Sequence, residues 1–466
     1  MLINIVTTGN YIILCFFIIL TICYIGLLFI SLANIKVAYE YFSHTNIYRL
    51  INHHFISKIS DTKLPPVTVS IPIYNKNPFF LDSIKSVLVN DYRNVEIFIV
   101  NDGSTDDTDE LLIKEFAFEK LPKVIMENKL ETSKVNAVFI SKKHKNLYLV
   151  NKEHGGVGDS HNVSINMSKS PYFITFDSDS IMDKRAISSF MITMLRESHN
   201  VIVGGGVYIT NGCKVNNGEI TEEKLPNTYV GNLQVNEYVR SHVFSRTGWG
   251  AIGGALVYSG TATMFEKEML IDIKGFDPNN FSQDAEVIVK AEQYTASHDT
   301  PCKTLFNPSI EVWTYVPANL KDFIRQRNHW QRGVLKSFMP YFFSIFKNFK
   351  INKIFRYFMF LMLEVFSPIV EVCAYILCII SLSLGIVSIS QVLIFILIAW
   401  LFLMTITLSN YFINRLTFKV YQKDDNIFKR IFYTTMEMIG FRQITVFTYT
   451  FATFHFIFNK LRGKPL

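Results

Sequence analysis

The spacing of apolar and charged positions divides the chain into three stretches. No charged side chain precedes Lys36, and residues 11–33 are continuously apolar. That run is long enough to cross about 30 Å of hydrocarbon as one helix. A cleaved signal peptide would begin with basic residues and carry a shorter apolar core before a small-residue cleavage site. None of these is evident, so a retained helix is expected. Residues 34–65 are polar to mixed and close on Pro65 and Pro66, which reads as a linker or interfacial segment. From Val67 to about Gly333 the pattern changes. Short apolar runs such as VTVSIPI (67–73), VEIFIV (95–100) and YFITF (172–176) are each followed by a turn and then a helical pattern. Near-continuous apolar strands alternating with helices predict an α/β domain whose mostly parallel sheet is covered on both faces.

Beyond this domain, residues 338–353 alternate aromatic clusters with lysines, the pattern of an amphipathic helix at a membrane surface. No charge occurs between Glu371 and Arg415. As a single helix that stretch would reach roughly 65 Å. Two spans are therefore predicted, at about 356–386 and 391–413, with a turn near Gly385–Ser390. Loop 414–430 holds Arg415, Lys419, Lys423, Lys429 and Arg430 against two acidic residues, so it is expected on the cytoplasmic side. Counting back places the central domain in the cytoplasm and the N-terminus outside. Segment 431–458 is interrupted by Glu437, Arg442, Gln443 and His455, which favours interfacial helices over a fourth span. The expected organisation is thus 1–65, 66–335 and 336–466.

Composition sharpens this reading in two places. Charged residues make up only 18%, and the deficit falls at the two ends, as in a membrane protein with a soluble centre. The net charge of +7 invites a nucleic-acid reading. The basic residues instead cluster beside apolar segments, with no basic stripe or recognition helix, so nucleic acid is not an expected partner. The six cysteines show neither zinc spacing nor a disulfide framework.

Candidate chemistry lies at strand ends, where ligands bind in open α/β sheets. SIPIYNKN (70–77) puts Pro72 and Tyr74 at one such end, and VNDGSTDDT (100–108) puts Asp102 at the next. Asp102 could accept hydrogen bonds from a base or ribose, or serve only a turn and helix cap. YFITF runs straight into Asp177-Ser178-Asp179-Ser180. Two carboxylates two residues apart repel each other unless a cation lies between them. Mg²⁺ or Mn²⁺ takes oxygen ligands and bridges to phosphates, so the pair suggests a metal–diphosphate site. FSQDAE (281–286) offers Asp284 as a general base for an acceptor hydroxyl. IRQRNHWQRG (324–333) surrounds Trp330 with cations suited to a departing diphosphate, or to lipid headgroups.

In this order and spacing, these stretches resemble the processive family-2 glycosyltransferases, which include cellulose, hyaluronan, chitin and poly-N-acetylglucosamine synthases. The resemblance covers roughly residues 67–335 and the flanking membrane helices. It implies a GT-A fold, a nucleotide-sugar donor (a UDP-sugar), a glycan acceptor and inversion at the anomeric carbon. PIYNKN looks like the first nucleotide-contacting turn. NDGSTDDT is similar to D-D-G-S-T-D, implying that Asp102 meets the uracil base. DSDS looks like D-x-D, implying that Asp177 lies near the diphosphate and Asp179 on the metal. SQDAE resembles T/G-E-D, implying Asp284 as base. SGTATMF (259–265), with Ser259 and Gly260, looks like the acceptor-lining segment. QRNHW (326–330), with Gln326, Arg327, His329 and Trp330, resembles Q-x-x-R-W beside acceptor and diphosphate. There are departures. Gln283 stands in place of Glu. His329 replaces Arg, so Arg327, Arg332 or a protonated His329 would supply the charge. In KEHGGVGDSHN (152–162), Val157 stands at the lysine position and His161 at the leucine position, leaving Lys152 to serve the phosphates.

Glu364 and Glu371 share a helix face seven residues apart. They either face a polar path for the glycan or pair with Arg356 or another basic group. Three expected spans are few for a private channel, so a homo-oligomer or a small accessory subunit is an expected partner beside membrane lipid. The resemblance implies an enzyme of a bacterial plasma membrane that builds a cell-surface polysaccharide processively. A non-processive transferase acting on a lipid-linked glycan would use the same donor site. A transporter or receptor would leave the acidic strand ends unexplained.

Overall fold

The computed structural model describes residues 1–58, 64–123, 126–196, 201–298, 302–343, 351–421, 423–424 and 426–463, with side chains omitted at 35–58, 242–244, 351–352 and 417–418. Parts of the expected linker (34–65) and surface helix (338–353) lie outside the described residues. Among the described residues, three helices are long and apolar enough to cross a membrane: Leu2–Asn34, Lys353–Ser383 and Ile389–Leu416. The first belongs to a longer helix, Leu2–Lys58. The sequence has neither Gly nor Pro between Gly26 and Pro65, so nothing in it stops the helix at the membrane boundary. The chain between the second and third spans turns at Gly385 (φ +68°), and Ser388 and Gln391 form a capping box for Ile389–Ile413.

The domain between the spans carries a ten-stranded sheet. Its strands are β1 (Val67–Ile73), β2 (Val95–Asn101), β3 (Phe118–Lys120), β4 (Val135–Ser141), β5 (Leu147–Lys152), β6 (Tyr172–Thr175), β7 (Ser180–Met182), β8 (Val201–Ile209), β11 (Thr263–Glu266) and β12 (Lys303–Thr314). Lys214–Asn216 and Glu219–Glu222 form a separate hairpin, β9 and β10. The sheet order is β3-β4-β5-β2-β1-β6-β11-β8-β12-β7. β4, β11 and β7 run against the other seven strands, so the sheet is mostly parallel.

The sequence of β1 explains how the two faces are filled. Val67, Val69, Ile71 and Ile73 join helices Phe80–Leu88 and Ala186–Met194 in the main apolar core. Thr68 and Ser70 point the other way, as a strand's period of two requires. There Thr68 meets Ser168 at 2.6 Å, and Ser70 meets Ser164 at 2.8 Å and His161 at 2.9 Å. His161 is fully buried against Phe173 and Phe276, and burial pushes its pKa down to about 3. It is a neutral core residue that packs helix Val157–Met167 onto the sheet.

β1 also marks the point where the chain changes direction across the sheet. β2 lies on one side of it and β6 on the other. The crevice beyond the ends of these strands is where ligands bind in such sheets.

Candidate active site

Three turns close over that crevice. Asn75, at φ +52°, accepts from the backbone N–H of Thr105 at 2.8 Å and donates its own to Ser104 at 2.9 Å. Asn77 donates to Ser178 Oγ at 3.1 Å and to its carbonyl at 3.2 Å. The turns after β1, β2 and β6 are thus tied into one rim. Pro72 is paired within β1 against Val100, while Tyr74 stands at the rim, 51% exposed. Its ring lies 4.4 Å from the exposed ring of His154. Sequence reasoning did not single out His154. Its role depends on β5 lying beside β2, which no local pattern reveals.

Lys152 requires correction, and Asp102 has partners that the sequence did not show. Asp102 is 2% exposed; Lys152 and the N–H groups of Gly155 and Gly156 donate to its carboxylate, and His154 Nδ1 lies 3.0 Å from its main-chain carbonyl. Three donors occupy three of the roughly four acceptor positions of a carboxylate, which leaves one on Oδ2. Asp102 organises the His154–Gly156 loop and keeps one acceptor position. Lys152 is fully buried between Asp102 and Asp159, 2.7 Å from the latter. It cannot serve a phosphate without abandoning both partners. Lys152→Met will leave two buried carboxylates uncompensated and lower unfolding free energy by about 3–5 kcal/mol. Denaturant titration checks this: a phosphate-binding lysine would instead show wild-type stability and weakened donor affinity.

The three other acidic candidates converge. Thr263 of β11 faces Thr175 of β6, which carries Thr261 up to Asp177; the Asp177 N–H donates to Thr261 Oγ1 at 3.4 Å. Gly260 neighbours Asp284: a Cβ on it would lie 3.5 Å from the Asp284 Cβ, an ordinary contact distance. Asp284 sits in the first turn of helix Gln283–Ser297, accepting from the Ala285 N–H at 2.9 Å and from Ser282 Oγ at 3.2 Å. Burial, then Asp179, then Asp284 push the Asp177 pKa up to about 8. Burial also raises Asp179 and Asp284, with the hydrogen bonds from Ala285 and Ser282, and then the Arg246 guanidinium, acting in the opposite sense on Asp284. Arg246 is a cation in the site that the sequence reading passed over.

This arrangement fits a divalent cation. Among the described residues, no three His, Cys, Asp or Glu side chains form a self-sufficient metal cage. A pair of aspartates completed by diphosphate oxygens is a donor set that Mg²⁺ or Mn²⁺ uses with phosphorylated substrates.

The QRNHW segment lies on helix Leu320–Phe338, docked where Gly333 meets Ser282. A Cβ on Gly333 would sit 2.4 Å from that of Ser282, so glycine allows the close approach. Gln326 Oε1 is buried without a hydrogen-bond partner, and Trp330 is 38% exposed. Arg327 is buried, pairs with Glu237 at 2.7 Å, and lies 4.2 Å from the Trp330 ring centre. Its charge is already matched, so it braces the indole and does not supply a free cation. His329 is not that cation either. Burial, reinforced by Arg332, lowers its pKa, and its ring packs on Phe281 at 4.3 Å. Arg332, over Phe281 and without an ion pair among the described residues, is the cation left in this segment.

The two membrane glutamates do not share a partner. Arg442 binds Glu371 through two hydrogen bonds of 2.8 and 2.7 Å, and Arg356 binds neither glutamate but Glu292.

Comparisons with known proteins agree with this architecture. The Glycosyl transferase family 2 profile matches residues 68–270, and the Glycosyl transferase family group 2 profile matches residues 172–412. The poly-beta-1,6-N-acetyl-D-glucosamine synthase of Staphylococcus aureus (strain COL) is 24% identical over 289 residues, covering 62% of this chain and 59% of the relative. The protein of the same name from Staphylococcus epidermidis is 22% identical over 295 residues, covering 62% and 60%. The chain therefore spans about three-fifths of the length of the curated relatives it matches. Among solved structures, the mannosyltransferase PcManGT from Pyrobaculum calidifontis, in complex with GDP-Man and Mn²⁺, aligns with a TM-score of 0.52 at 14% identity. That alignment covers 89% of this chain and 99% of the other, a likeness of fold. With a profile match extending over half of its length, a mostly parallel α/β sheet and three helices fit to cross a membrane, this chain belongs to the family-2 glycosyltransferases and is related to the poly-N-acetylglucosamine synthases.

Proposed function

We propose that the protein transfers a sugar from a UDP-sugar to a growing cell-surface polysaccharide, with inversion, at a metal-dependent site on the cytoplasmic face of the membrane. The observation that carries this reading is the convergence of Asp177, Asp179 and Asp284 on the Ser259–Thr261 turn. A donor diphosphate needs a cation, and an acceptor hydroxyl needs a base. These carboxylates supply both positions within one crevice. When bound, Mg²⁺ or Mn²⁺ would neutralise charge on the leaving diphosphate, held by Asp177 and Asp179.

Each remaining group has a task of its own. Tyr74 and His154 offer a paired aromatic face for the nucleobase. Asp284 removes the proton of the acceptor hydroxyl as that oxygen attacks the anomeric carbon. Ser259 and Gly260 line the acceptor side, with Gln326 Oε1 as an acceptor for a sugar hydroxyl and Trp330 as a ring platform. Arg332 and Arg246 offset negative charge nearby. The relatives named as poly-beta-1,6-N-acetyl-D-glucosamine synthases favour an N-acetylglucosamine donor. Processive elongation is supported by the docking of the Trp330 helix against Arg442–Leu461, beside the second span.

The test is a donor screen with the full chain in nanodiscs, following nucleotide release and sizing the product. UDP release with long glycan is the expected result, strongest with UDP-N-acetylglucosamine. Release with single-sugar products would replace elongation by one-step transfer. Silence with every UDP-sugar and acceptor would overturn the reading.

A further inference from the structure

Arg356 belongs to the second membrane span, yet its contacts lie in the catalytic domain. It is 2% exposed, and its Nη2 donates to both carboxylate oxygens of Glu292. Its Nη1 donates to the carbonyls of Gly253 and Gly254, the latter at 3.1 Å. Glu292 is 1% exposed and lies on Gln283–Ser297, the helix whose first turn carries Asp284. Gly253 and Gly254 open the segment that leads, through buried Ala255, Leu256 and Tyr258, to Ser259–Thr261. Both glycines have left-handed backbone, at φ +114° and +99°. A Cβ on Gly254 would fall 1.5 Å from Thr304 Oγ1, so the turn that aims these carbonyls tolerates no side chain. Leu256, Ala285, Val289, Tyr357 and Phe360 fill the space between loop, helix and span as one apolar cluster.

One membrane-borne cation therefore holds two elements that meet again at the Gly260–Asp284 contact. We propose that Arg356 is a positioning residue that fixes the acceptor side of the site to the membrane span, so that the loop and the Asp284 helix keep one separation while a glycan is bound. This rests on the reading of Ser259–Thr261 and Asp284 as the acceptor side of a transferase. A guanidinium suits the task because it can bond a carboxylate with one edge and carbonyls with the other; an ammonium reaches fewer of them at fixed angles. Small displacements of reacting groups have large kinetic consequences, and the groups that Arg356 bonds, Glu292, Gly253 and Gly254, lie outside β1, β2 and β6.

The experiment compares wild type, Arg356→Lys and the neutral double variant Arg356→Gln with Glu292→Gln, as full chains in nanodiscs. The double variant avoids stranding a buried charge. Probes are UDP-N-acetylglucosamine with Mn²⁺ and a β-1,6-linked N-acetylglucosamine pentamer. Both variants should raise the KM for the pentamer about tenfold, with donor KM and donor hydrolysis nearly unchanged. Amide hydrogen exchange across residues 252–262 should quicken in both. Unaltered pentamer KM and exchange in active, folded variants would overturn the role of Arg356. So would a uniform fall in every rate that tracks loss of folded protein. A wild type that releases no UDP would overturn the transferase reading first, and this inference with it.

Discussion

Asp284→Asn will lower sugar transfer about 10²–10⁴-fold while nucleotide affinity stays near that of wild type. The local geometry makes this a clean substitution. The hydrogen bonds from the Ala285 N–H and from Ser282 Oγ both go to Asp284 Oδ1. An asparagine oxygen in that position keeps the helix start intact. The second oxygen becomes an amide NH₂, which cannot take a proton. Burial raises the Asp284 pKa, which strengthens it as a proton acceptor, while the hydrogen bonds from Ala285 and Ser282, and then Arg246, act in the opposite sense. Transfer rates and calorimetric UDP binding would be measured on the same preparation. A variant retaining half or more of the wild-type rate would place the base elsewhere. A loss of UDP affinity as large as the loss of rate would assign Asp284 to the donor instead.

The sequence reveals some parts of this site and conceals others, for physical reasons. β1, β2 and β6 are readable because buried parallel strands must be apolar on both sides, and few other elements produce VTVSIPI or VEIFIV. Asp177 and Asp179 are readable because their chemistry is local: two charges two residues apart at a strand end. Asp102 looked equally plain, but its surroundings were hidden. Its partners Lys152, His154, Gly155 and Gly156 come from fifty residues further on, and they meet it only because β5 pairs with β2. The charge of Arg327 was legible, but the Glu237 that neutralises it was not, since that pairing joins two helices ninety residues apart.

The C-terminal segment teaches the same lesson from the opposite side. Glu437 and Arg442 interrupt an otherwise apolar run, which made 431–458 hard to read. In the structure Arg240 binds Glu437 at 2.5 and 2.8 Å, and Arg442 binds Glu371 of the second span. The interrupting charges are tertiary joints. Between them the helix breaks at Ile439 and Gly440 (φ +104°), which turns Arg442–Leu461 back along the Trp330 helix. Its opposite face leaves Phe447, Phe451, Phe454 and Phe458 exposed. The candidate spans do not include it.

Chelation of divalent metal, or Asp179→Ala, will reduce transfer by about 10²–10³-fold or more, and Asp179→Ala will do so without destabilising the metal-free protein. The second half of this expectation separates a metal site from a structural turn. Asp177, Asp179 and Asp284 crowd one crevice, and the first has its pKa pushed up to about 8 by burial and by the other two carboxylates. Without a cation, removing one of them relieves repulsion, so the melting temperature should hold or rise. With Mn²⁺ and UDP present the order reverses. Wild type should gain thermal stability from the pair of ligands, and Asp179→Ala should gain little, because ligands that bind only the folded state shift its unfolding by mass action. Thermal unfolding with and without Mn²⁺ and UDP, run beside the transfer assay, reads both effects. If Asp179→Ala melted well below wild type in the absence of metal, the carboxylate would be holding the turn together, through its contact with Ser180, and the metal reading of this pair would fall.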